Sequence, residues 1–329
     1  MPMTEKTMKA IVQETYGSPD VLELRDVEKP TPNDDQVLVR VRASSVNPAD
    51  WHHVTGTPYL VRMGSGLRRP KQAVPGTDMA GEVEAVGRNV TRFRPGDEVF
   101  GMRSGAYAEY VAVRADRIVR KPANVTFEEA ASVPIAALTA LQGLRDRGHL
   151  RAGHQVLVIG ASGGVGTFAV QVAKALGAEV TGVCRTGNVD MVRALGADHV
   201  VDYTREDFVH SGRKYDVILD NVGNRSIADR RRVLKPTGTL VVVGGPKKNR
   251  WIGPMGGVVL LSLRSRLGGP KMTFMLAKND VDDLDTLRDL LDSKQVTPVV
   301  ERTYPLREVP EALRYLGQGH AQGKIVIVT

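Results

Sequence analysis

A glycine-rich loop in the middle of the chain has the residue types that bind a pyrophosphate. An apolar run, Val156-Leu157-Val158-Ile159, leads into Gly160-Ala161-Ser162-Gly163-Gly164-Val165-Gly166, and a helix is predicted to follow. Glycines let the backbone turn tightly and approach a phosphate closely, and N–H groups at the start of a helix bind its negative charge. This context predicts a dinucleotide site at Gly160, Ser162, Gly163, Gly164, Val165 and Gly166. A tight turn without a ligand is the alternative.

The residues after the next predicted strand indicate which dinucleotide binds. Units that bind NAD place an Asp or Glu about 20 residues beyond the glycines, where it accepts hydrogen bonds from the ribose. Here the strand ends at Cys184 and is followed by Arg185-Thr186-Gly187-Asn188, without a carboxylate. Arg185 could pair with a 2′-phosphate, and Thr186 could donate a hydrogen bond to it. The sequence therefore predicts NADPH as the cofactor, with a solvent-facing Arg185 as the alternative.

Two regions with different patterns must position these residues. Up to about residue 122, short β-branched or alternating runs are separated by proline and glycine turns, which predicts a barrel-like domain. From residue 155 onward, strands and helices alternate, which predicts parallel βαβ units. Between them, Thr126 to Arg147 is predicted to be largely helical and to begin at a capping box of Thr126 and Glu129. The last segment, 323–328, is predicted to be a strand that rejoins the first domain.

Composition restricts the classes of protein to which the chain could belong. With 329 residues, 42% hydrophobic and 25% charged, it resembles a two-domain globular protein. No apolar run approaches the roughly 20 residues that cross a bilayer, and the first residues lack the apolar core of a signal peptide. We therefore expect a cytoplasmic protein with no membrane partner. The net charge of +8 comes without a nucleic-acid-binding motif, so we expect no nucleic-acid partner. We expect basic clusters such as Arg230 to Arg232 to be solvated surface, with attraction of an anionic cofactor or substrate as the alternative.

Several short motifs outside the glycine loop are spread over nearly the whole chain. They are Asn47-Pro48-Ala49-Asp50 and the segments 75–83, 94–99, 105–111, 195–198 and 323–326. Together with the loop, they resemble the motifs of the medium-chain dehydrogenase/reductase superfamily, and within it the zinc-independent quinone oxidoreductase branch.

This resemblance implies an α/β fold with a GroES-like β-barrel domain and a Rossmann domain, a doubly wound parallel sheet, inserted in it. We place the GroES-like substrate and catalytic domain at residues 1–124, completed by about 297–329, and the Rossmann NADP-binding domain at 125–296. The resemblance also implies a cleft for nicotinamide and substrate. By position, Thr139, Tyr203, Asn221 and Gly244 match places that contact the cofactor, and Asn47 matches a cleft residue near the nicotinamide. Members of this branch are commonly homodimers that pair through their Rossmann sheets, so we expect a homodimer.

The residues argue against a catalytic zinc ion. Zinc-dependent relatives use a cysteine and a Gly-His-Glu triplet, where this chain has Asn47 and Gly76-Thr77-Asp78. Their structural zinc needs four cysteines, whereas Cys184 is the only cysteine here. His52 and His53 are adjacent, so in the extended segment expected there they point apart and cannot easily chelate one ion. Without a metal to acidify a hydroxyl, a quinone or conjugated carbonyl is the favoured substrate, because it is already electrophilic and needs only orientation and hydrogen bonds.

The sequence therefore predicts NADPH-dependent hydride transfer to a quinone or an α,β-unsaturated carbonyl compound. Tyr59 could donate a hydrogen bond or proton, and Asn47 and Asp50 could orient substrate or cofactor. The alternatives are that Tyr59 is a packed loop aromatic and that Asp50 forms a turn or a helix cap. A dehydrogenase of simple alcohols and an NADPH-binding protein with a structural role are the alternative functions. The 253–275 stretch is expected either to cover the cleft or to pack in the core or a dimer.

Overall fold

The computed structural model describes residues 6–244 and 271–329, which form two structural units. The first unit runs to Ile135 and adds Asn279–Ser293 and Pro298–Thr329. The second comprises the described part of Ala136–Lys278, together with Lys294–Thr297. Most of the 253–275 stretch, to which we assigned a covering or packing role, lies outside the described residues.

The strands are β1 (Thr7–Gln13), β2 (Leu22–Glu28), β3 (Gln36–Val46), β4 (Asp78–Val86), β5 (Glu98–Met102), β6 (Tyr110–Arg114), β7 (Ile118–Arg120), β8 (Gln155–Ile159), β9 (Glu179–Cys184), β10 (His199–Asp202), β11 (Tyr215–Asp220), β12 (Leu234–Val242), β13 (Lys271–Phe274), β14 (Val300–Pro305) and β15 (Lys324–Val328). The helices are α1 (Pro48–Thr55), α2 (Arg62–Ser65), α3 (Phe127–Ala131), α4 (Pro134–Gln142), α5 (Gly164–Ala175), α6 (Val189–Ala194), α7 (Ile227–Arg232), α8 (Val281–Asp292) and α9 (Val309–Gly317). In the described ranges, no helix has both the length and the apolar character that crossing a membrane requires.

The first unit is built on a mainly antiparallel sheet with the strand order β14-β15-β3-β4-β5-β7, in which β6 also pairs with β3. The inward side chains of these strands, including Val39, Met79 and Val99, form one buried apolar cluster. The last strand, β15, pairs antiparallel with β3, with Ile325 opposite Val46. The end of the described chain thus pairs with a strand of the first unit.

The second unit is a parallel sheet in the order β10-β9-β8-β11-β12-β13. Successive strands β8, β9 and β10 extend to one side of β8, whereas β11, β12 and β13 extend to the other. This doubly wound arrangement confirms the predicted α/β fold and places a topological switch point at the carboxyl ends of β8 and β11, where such sheets bind ligands.

The segment from Thr126 to Arg147, predicted to be largely helical, is helical over most of its length but is divided. Its capping box is present, because Glu129 N–H donates to Thr126 Oγ1 (3.2 Å) and Thr126 N–H donates to Glu129 Oε2 (2.8 Å). However, α3 ends at Ala131 and α4 begins at Pro134, and a π-helical turn follows over Gly143–Arg147. Proline has no N–H to donate to the carbonyl four residues earlier, so the segment is interrupted before Pro134.

The division between the units also departs from the predicted boundaries at 124 and 296. Helix α8, which the sequence analysis placed with the Rossmann domain, belongs to the first unit. Its Asp285 accepts a hydrogen bond from Arg92 (2.8 Å), and the carbonyl of its Leu291 accepts one from Asn124 Nδ2 (2.9 Å). These partners are far apart in sequence, so no local pattern indicated them.

Candidate functional site

The glycine loop joins β8 to α5 in the second unit. Gly160 has a φ of 78°, in the left-handed region. Its N–H and that of Ala161 donate to the carbonyl of Val183 at 3.1 and 3.0 Å. A Cβ at Gly166 would lie 2.0 Å from the carbonyl oxygen of Gly160, so the turn requires glycine there. At Gly163, by contrast, a Cβ would meet only that oxygen, at 3.6 Å, which leaves the loop open on this face.

The loop has the features that a dinucleotide pyrophosphate needs. Gly163 is the N-cap of α5, whose first N–H groups have no acceptor within the helix and carry its positive dipole end. Ser162 Oγ accepts a hydrogen bond from Asn188 Nδ2 (2.9 Å), which holds this hydroxyl beside the glycines. The residues present therefore fit the phosphates of a nicotinamide dinucleotide.

Arg185 and Tyr203 follow β9 and β10, whose register pairs Cys184 with Asp202. Both residues therefore leave the sheet at the same edge. Tyr203 is 55% exposed, and the Arg185 guanidinium has no hydrogen bond or ion pair within the described part of the chain. This unpartnered cation is available to an anionic ligand.

Thr186 is held by Asp202, which the sequence analysis did not select. The Thr186 hydroxyl donates to Asp202 Oδ2 (2.6 Å) and lies 2.8 Å from Thr204 Oγ1. Hydrogen bonds from Thr186 and Thr204 hold the pKa of Asp202 below its usual value. Because the single hydroxyl proton of Thr186 is engaged with this carboxylate, binding of a phosphate there rests on Arg185.

Asn221 and Gly244 meet at the next edge positions of the same sheet. Asn221 follows β11, which is paired with β8, and its Nδ2 donates to the carbonyl of Ile159 (3.1 Å). A Cβ at Gly244 would lie 2.1 Å from the carbonyl oxygen of Asn221, so this close approach needs glycine. Thr139, the remaining residue selected in this unit, is buried in α4. The structure thus gathers the loop, Arg185, Tyr203, Asn221 and Gly244 at the carboxyl edge of the sheet.

A buried ion pair positions the segment that contains Asn221. Asp220 Oδ2 lies 2.7 Å from Arg230 Nε, and the two side chains are 0% and 6% exposed. Asp220 Oδ1 accepts hydrogen bonds from the N–H groups of Val222 (3.0 Å) and Gly223 (2.8 Å). The expectation that Arg230 to Arg232 are all solvated surface was therefore wrong for Arg230. An Asp at the end of a strand was the one signal for this pair.

A buried polar cluster in the first unit contains Asn47 and Asp50. Asn47 is the N-cap of α1, and its N–H donates to Asp50 Oδ2 at 2.9 Å. The Asp50 carboxylate also accepts from Tyr107 OH (3.2 Å) and Thr77 Oγ1 (3.0 Å). Burial, with a contribution from the nearby Asp78, raises the pKa of Asp50 to about 6. With its oxygens engaged by protein donors, Asp50 fits the helix-capping alternative better than direct contact with a substrate.

The side chain of Asn47 bridges two residues that the sequence analysis did not assign to the site. Its Nδ2 donates to Asp78 Oδ2 (2.8 Å), and its Oδ1 accepts from Lys324 Nζ (2.5 Å). Lys324 is 3% exposed and Asp78 is fully buried. Burial raises the pKa of Asp78 and lowers that of Lys324, and the opposite charge of each partly offsets the effect on the other.

Tyr59 lies beyond α1 in a 3-10 turn, Tyr59–Val61, and is 36% exposed. Its ring lies 4.8 Å from the Arg62 guanidinium, which also stacks on Tyr16 at 4.6 Å and donates to the carbonyl of Gly56 (2.8 Å). The structure therefore brings Asn47 and Asp50 together in a buried cluster and leaves Tyr59 in a more exposed segment.

The side chains do not fit a catalytic zinc ion at the Asn47 position. The ammonium of Lys324 already donates to the carboxamide oxygen of Asn47. A fixed positive charge at this place disfavours the binding of a second cation. His52 and His53 lie in α1, so the extended segment expected for them was wrong, and His52 Nδ1 lies 2.6 Å from the carbonyl of Thr57. Across the described ranges, no group of three His, Cys, Asp or Glu side chains is placed to hold a metal ion.

Comparison with known proteins extends over nearly the whole chain. The family model for the alcohol dehydrogenase GroES-like domain matches residues 33–123, and the one for zinc-binding dehydrogenase matches residues 195–327. The chain is 34% identical to the 2-methylene-furan-3-one reductase of Solanum lycopersicum, over 97% of this chain and 79% of that protein. It is 34% identical to the chloroplastic NADPH-dependent alkenal/one oxidoreductase of Arabidopsis thaliana, over 98% of this chain and 80% of that protein. The structure of the quinone oxidoreductase from Coxiella burnetii superposes with a TM-score of 0.85 at 30% identity, covering 98% of this chain and 100% of that one.

Proposed function

Because the chain belongs to the medium-chain dehydrogenase/reductase superfamily, in its quinone oxidoreductase-like branch, we propose that it is an NADPH-dependent oxidoreductase that transfers hydride to a quinone or an α,β-unsaturated carbonyl compound. The observation that carries the proposal is the open glycine loop at the same sheet edge as the unpartnered Arg185. The names of the Solanum lycopersicum reductase and the Arabidopsis thaliana oxidoreductase support the same substrate class.

The proposed chemistry proceeds without zinc, even though one matching family is described as zinc-binding. When bound, NADPH supplies the hydride. The Gly160 loop and the N-terminus of α5 bind the pyrophosphate, and Arg185 pairs with the 2′-phosphate. Asn47 orients cofactor or substrate by hydrogen bonds, and Tyr59 donates a hydrogen bond or proton to the oxygen that becomes negative. An activated C=C or quinone needs no further Lewis acid, which agrees with a site where Lys324 already holds the Asn47 oxygen.

Steady-state oxidation of NADPH by the chelator-treated protein tests this function. An ortho-quinone and a short enone are offered as acceptors, with NADH as the comparison cofactor. We expect turnover that persists after chelation and prefers NADPH. Oxidation of simple alcohols that depends on added zinc would contradict the proposal and favour an alcohol dehydrogenase. Tight NADPH binding without turnover of either acceptor would instead indicate a binding protein.

Arg185→Ala is expected to raise the dissociation constant for NADPH by about tenfold or more and to change that for NADH by less than about twofold. The variant removes a charge-assisted hydrogen bond to the 2′-phosphate, which NADH lacks. Fluorescence titration with each dinucleotide measures both constants. Arg193→Ala is the matched control, because Arg193 is also a cation of this unit but is 62% exposed and paired with Asp190. Equal weakening of NADPH and NADH would remove Arg185 from the 2′-phosphate site.

Tyr59→Phe is expected to lower kcat for an enone by about tenfold and to leave the affinity for NADPH unchanged. The effect of a general acid is moderated here because water can also protonate an enolate. A phenylalanine ring can keep the contact with Arg62, which lies 4.8 Å from the Tyr59 ring, so the segment should retain its conformation. An unchanged kcat would assign Tyr59 the role of a packed loop aromatic.

We also infer that the protein is a cytoplasmic homodimer that pairs through the sheet of its second unit. Within the described residues, β13 lies at one edge of this sheet, where its backbone groups can pair with another chain. Light scattering coupled to size-exclusion chromatography is expected to give twice the chain mass of 35.7 kDa. A monomer at micromolar concentration contradicts the dimer, and recovery of the protein in an organelle fraction contradicts the location.

A further inference from the structure

Lys324 places a buried positive charge next to Asn47. Its Nζ lies 2.5 Å from Asn47 Oδ1, 3.4 Å from the carbonyl of Val46 and 3.7 Å from Asp78 Oδ2. The nearest atom to the ammonium is thus a neutral carboxamide oxygen, and the carboxylate lies farther away. Lys324 is the first residue of β15, and this contact joins residues 277 positions apart in sequence.

Stability alone does not account for this arrangement. Moving a lysine from water into the interior is costly, and well-packed apolar residues often serve at least as well as a buried ion pair. The geometry instead determines the orientation of the Asn47 carboxamide, whose oxygen and nitrogen ends have nearly the same shape. The reverse orientation would turn the NH₂ group towards the Lys324 ammonium and the oxygen towards the Asp78 carboxylate. Two donors would then face each other at Lys324, and two acceptors would face each other at Asp78.

The oriented carboxamide retains hydrogen-bonding capacity for a ligand. One Nδ2 proton goes to Asp78 (2.8 Å), whereas the nearest acceptor recorded for the other is the carbonyl of Ser45, at the limiting distance of 3.5 Å. A cation on the carboxamide oxygen also draws electron density from the nitrogen and makes its N–H a stronger donor.

We propose that Lys324 is a positioning residue, which acts through Asn47 by fixing the orientation of its carboxamide and strengthening its N–H donor towards cofactor or substrate. This inference rests on the proposed function, in which Asn47 makes that contact. Asp78 contributes to the same orientation, since its carboxylate accepts a hydrogen bond from the Nδ2 end of the Asn47 carboxamide. The last strand of the chain thereby contributes to the site through a residue that need not contact the substrate.

A double-mutant cycle of Lys324→Met and Asn47→Ala tests the proposal, with kcat/KM for an enone and the dissociation constant of NADPH as readouts. We expect Lys324→Met to lower kcat/KM by about tenfold in the wild-type background and by less than about twofold when Asn47 is already alanine. A purely structural role would give the same loss in both backgrounds, and that result would overturn the proposal. An unchanged kcat/KM in Lys324→Met would also overturn it.

Lys121→Met is the matched control, because Lys121 is another lysine of the same unit with a side chain only 5% exposed. Its Nζ pairs with Glu98 (2.9 Å) and donates to the carbonyl of Val125 (2.7 Å), away from Asn47. We expect both lysine variants to lower the thermal midpoint but only Lys324→Met to lower kcat/KM. If Lys324→Met does not fold, Lys324→Met combined with Asp78→Asn removes both buried charges and takes its place in the cycle, again with no further loss expected when Asn47 is alanine.

The two readouts separate failure of this inference from failure of the proposed function. A wild-type protein that binds NADPH without reducing quinone or enone contradicts the function, and the cycle is then evaluated on the dissociation constant. Non-additive effects on that constant still support the action of Lys324 through Asn47. Additive effects, or no effect of any variant on the constant, overturn the inference.

Discussion

Gly166→Ala is expected to weaken NADPH binding by about 100-fold, or about 2.8 kcal/mol. The added Cβ would lie 2.0 Å from the carbonyl oxygen of Gly160 and 2.8 Å from backbone atoms of Ala161. No side-chain rotation relieves contacts with backbone atoms, so the loop must move away from the position that presents its N–H groups. Titration of NADPH fluorescence measures the loss, and circular dichroism establishes whether the chain stays folded.

Two further glycine variants show which part of this effect comes from the ligand. At Gly163 an added Cβ meets only the Gly160 oxygen, at an ordinary 3.6 Å, so Gly163→Ala should keep its thermal stability and still bind NADPH poorly. Gly64→Ala is the control for an alanine in open space, since, apart from its own helix backbone and chain neighbours, no described atom lies within 4 Å of its added Cβ. Binding by Gly166→Ala within about threefold of the wild type would contradict the assignment of the loop.

The residues of the second unit that we propose to bind the cofactor follow from local signals in the sequence. A buried strand, a glycine turn and a helix occur in order along one short segment, and the ends of parallel strands necessarily meet at one edge of a sheet. That rule is enough to bring Arg185, Tyr203 and Asn221 near the Gly160 loop once the strands are identified. The glycine at 166 is likewise explained by a contact within its own turn.

The polar cluster around Asn47 could be predicted only in part. The Asn47-Pro48-Ala49-Asp50 motif indicated both residues, and the spacing of Asn47 and Asp50 is that of a capping box, a purely local structure. The contacts with Asp78 and Lys324 join residues 31 and 277 positions apart. A lysine next to an apolar run has the local pattern of a strand end, and only the pairing of β15 with β3 brings its side chain to Asn47.

A pattern averaged over neighbouring residues does not reveal a constraint that acts at one residue. The helical content predicted for residues 126–147 is present, but the missing N–H of Pro134 divides the segment. The run Arg230 to Arg232 has the composition of a solvated face, yet Arg230 is the counter-charge of the buried Asp220 carboxylate. The expectation of a solvated surface was wrong for Arg230 because its ion pair is a tertiary contact.

That counter-charge makes Arg230→Met the substitution with the largest expected effect on stability, about 3–5 kcal/mol. The variant leaves the Asp220 carboxylate, 0% exposed, without the guanidinium that lies 2.7 Å away in the wild type. The change is measured as a lower midpoint of urea unfolding, followed by circular dichroism. Arg193→Met is the control, because Arg193 is 62% exposed and its ion pair with Asp190 should contribute less than about 1 kcal/mol.

Combining Arg230→Met with Asp220→Asn is expected to recover much of the lost stability. The asparagine carries no charge, and its Oδ1 can still accept the N–H groups of Val222 and Gly223 that Asp220 holds at 3.0 and 2.8 Å. If the double variant is as unstable as Arg230→Met alone, the loss comes from the packing of the arginine side chain and not from an uncompensated charge. Recovery of stability together with normal NADPH binding would show that the hydrogen bonds accepted at position 220 are sufficient to hold the Asn221 segment, and that the charge of Arg230 serves to compensate a buried carboxylate.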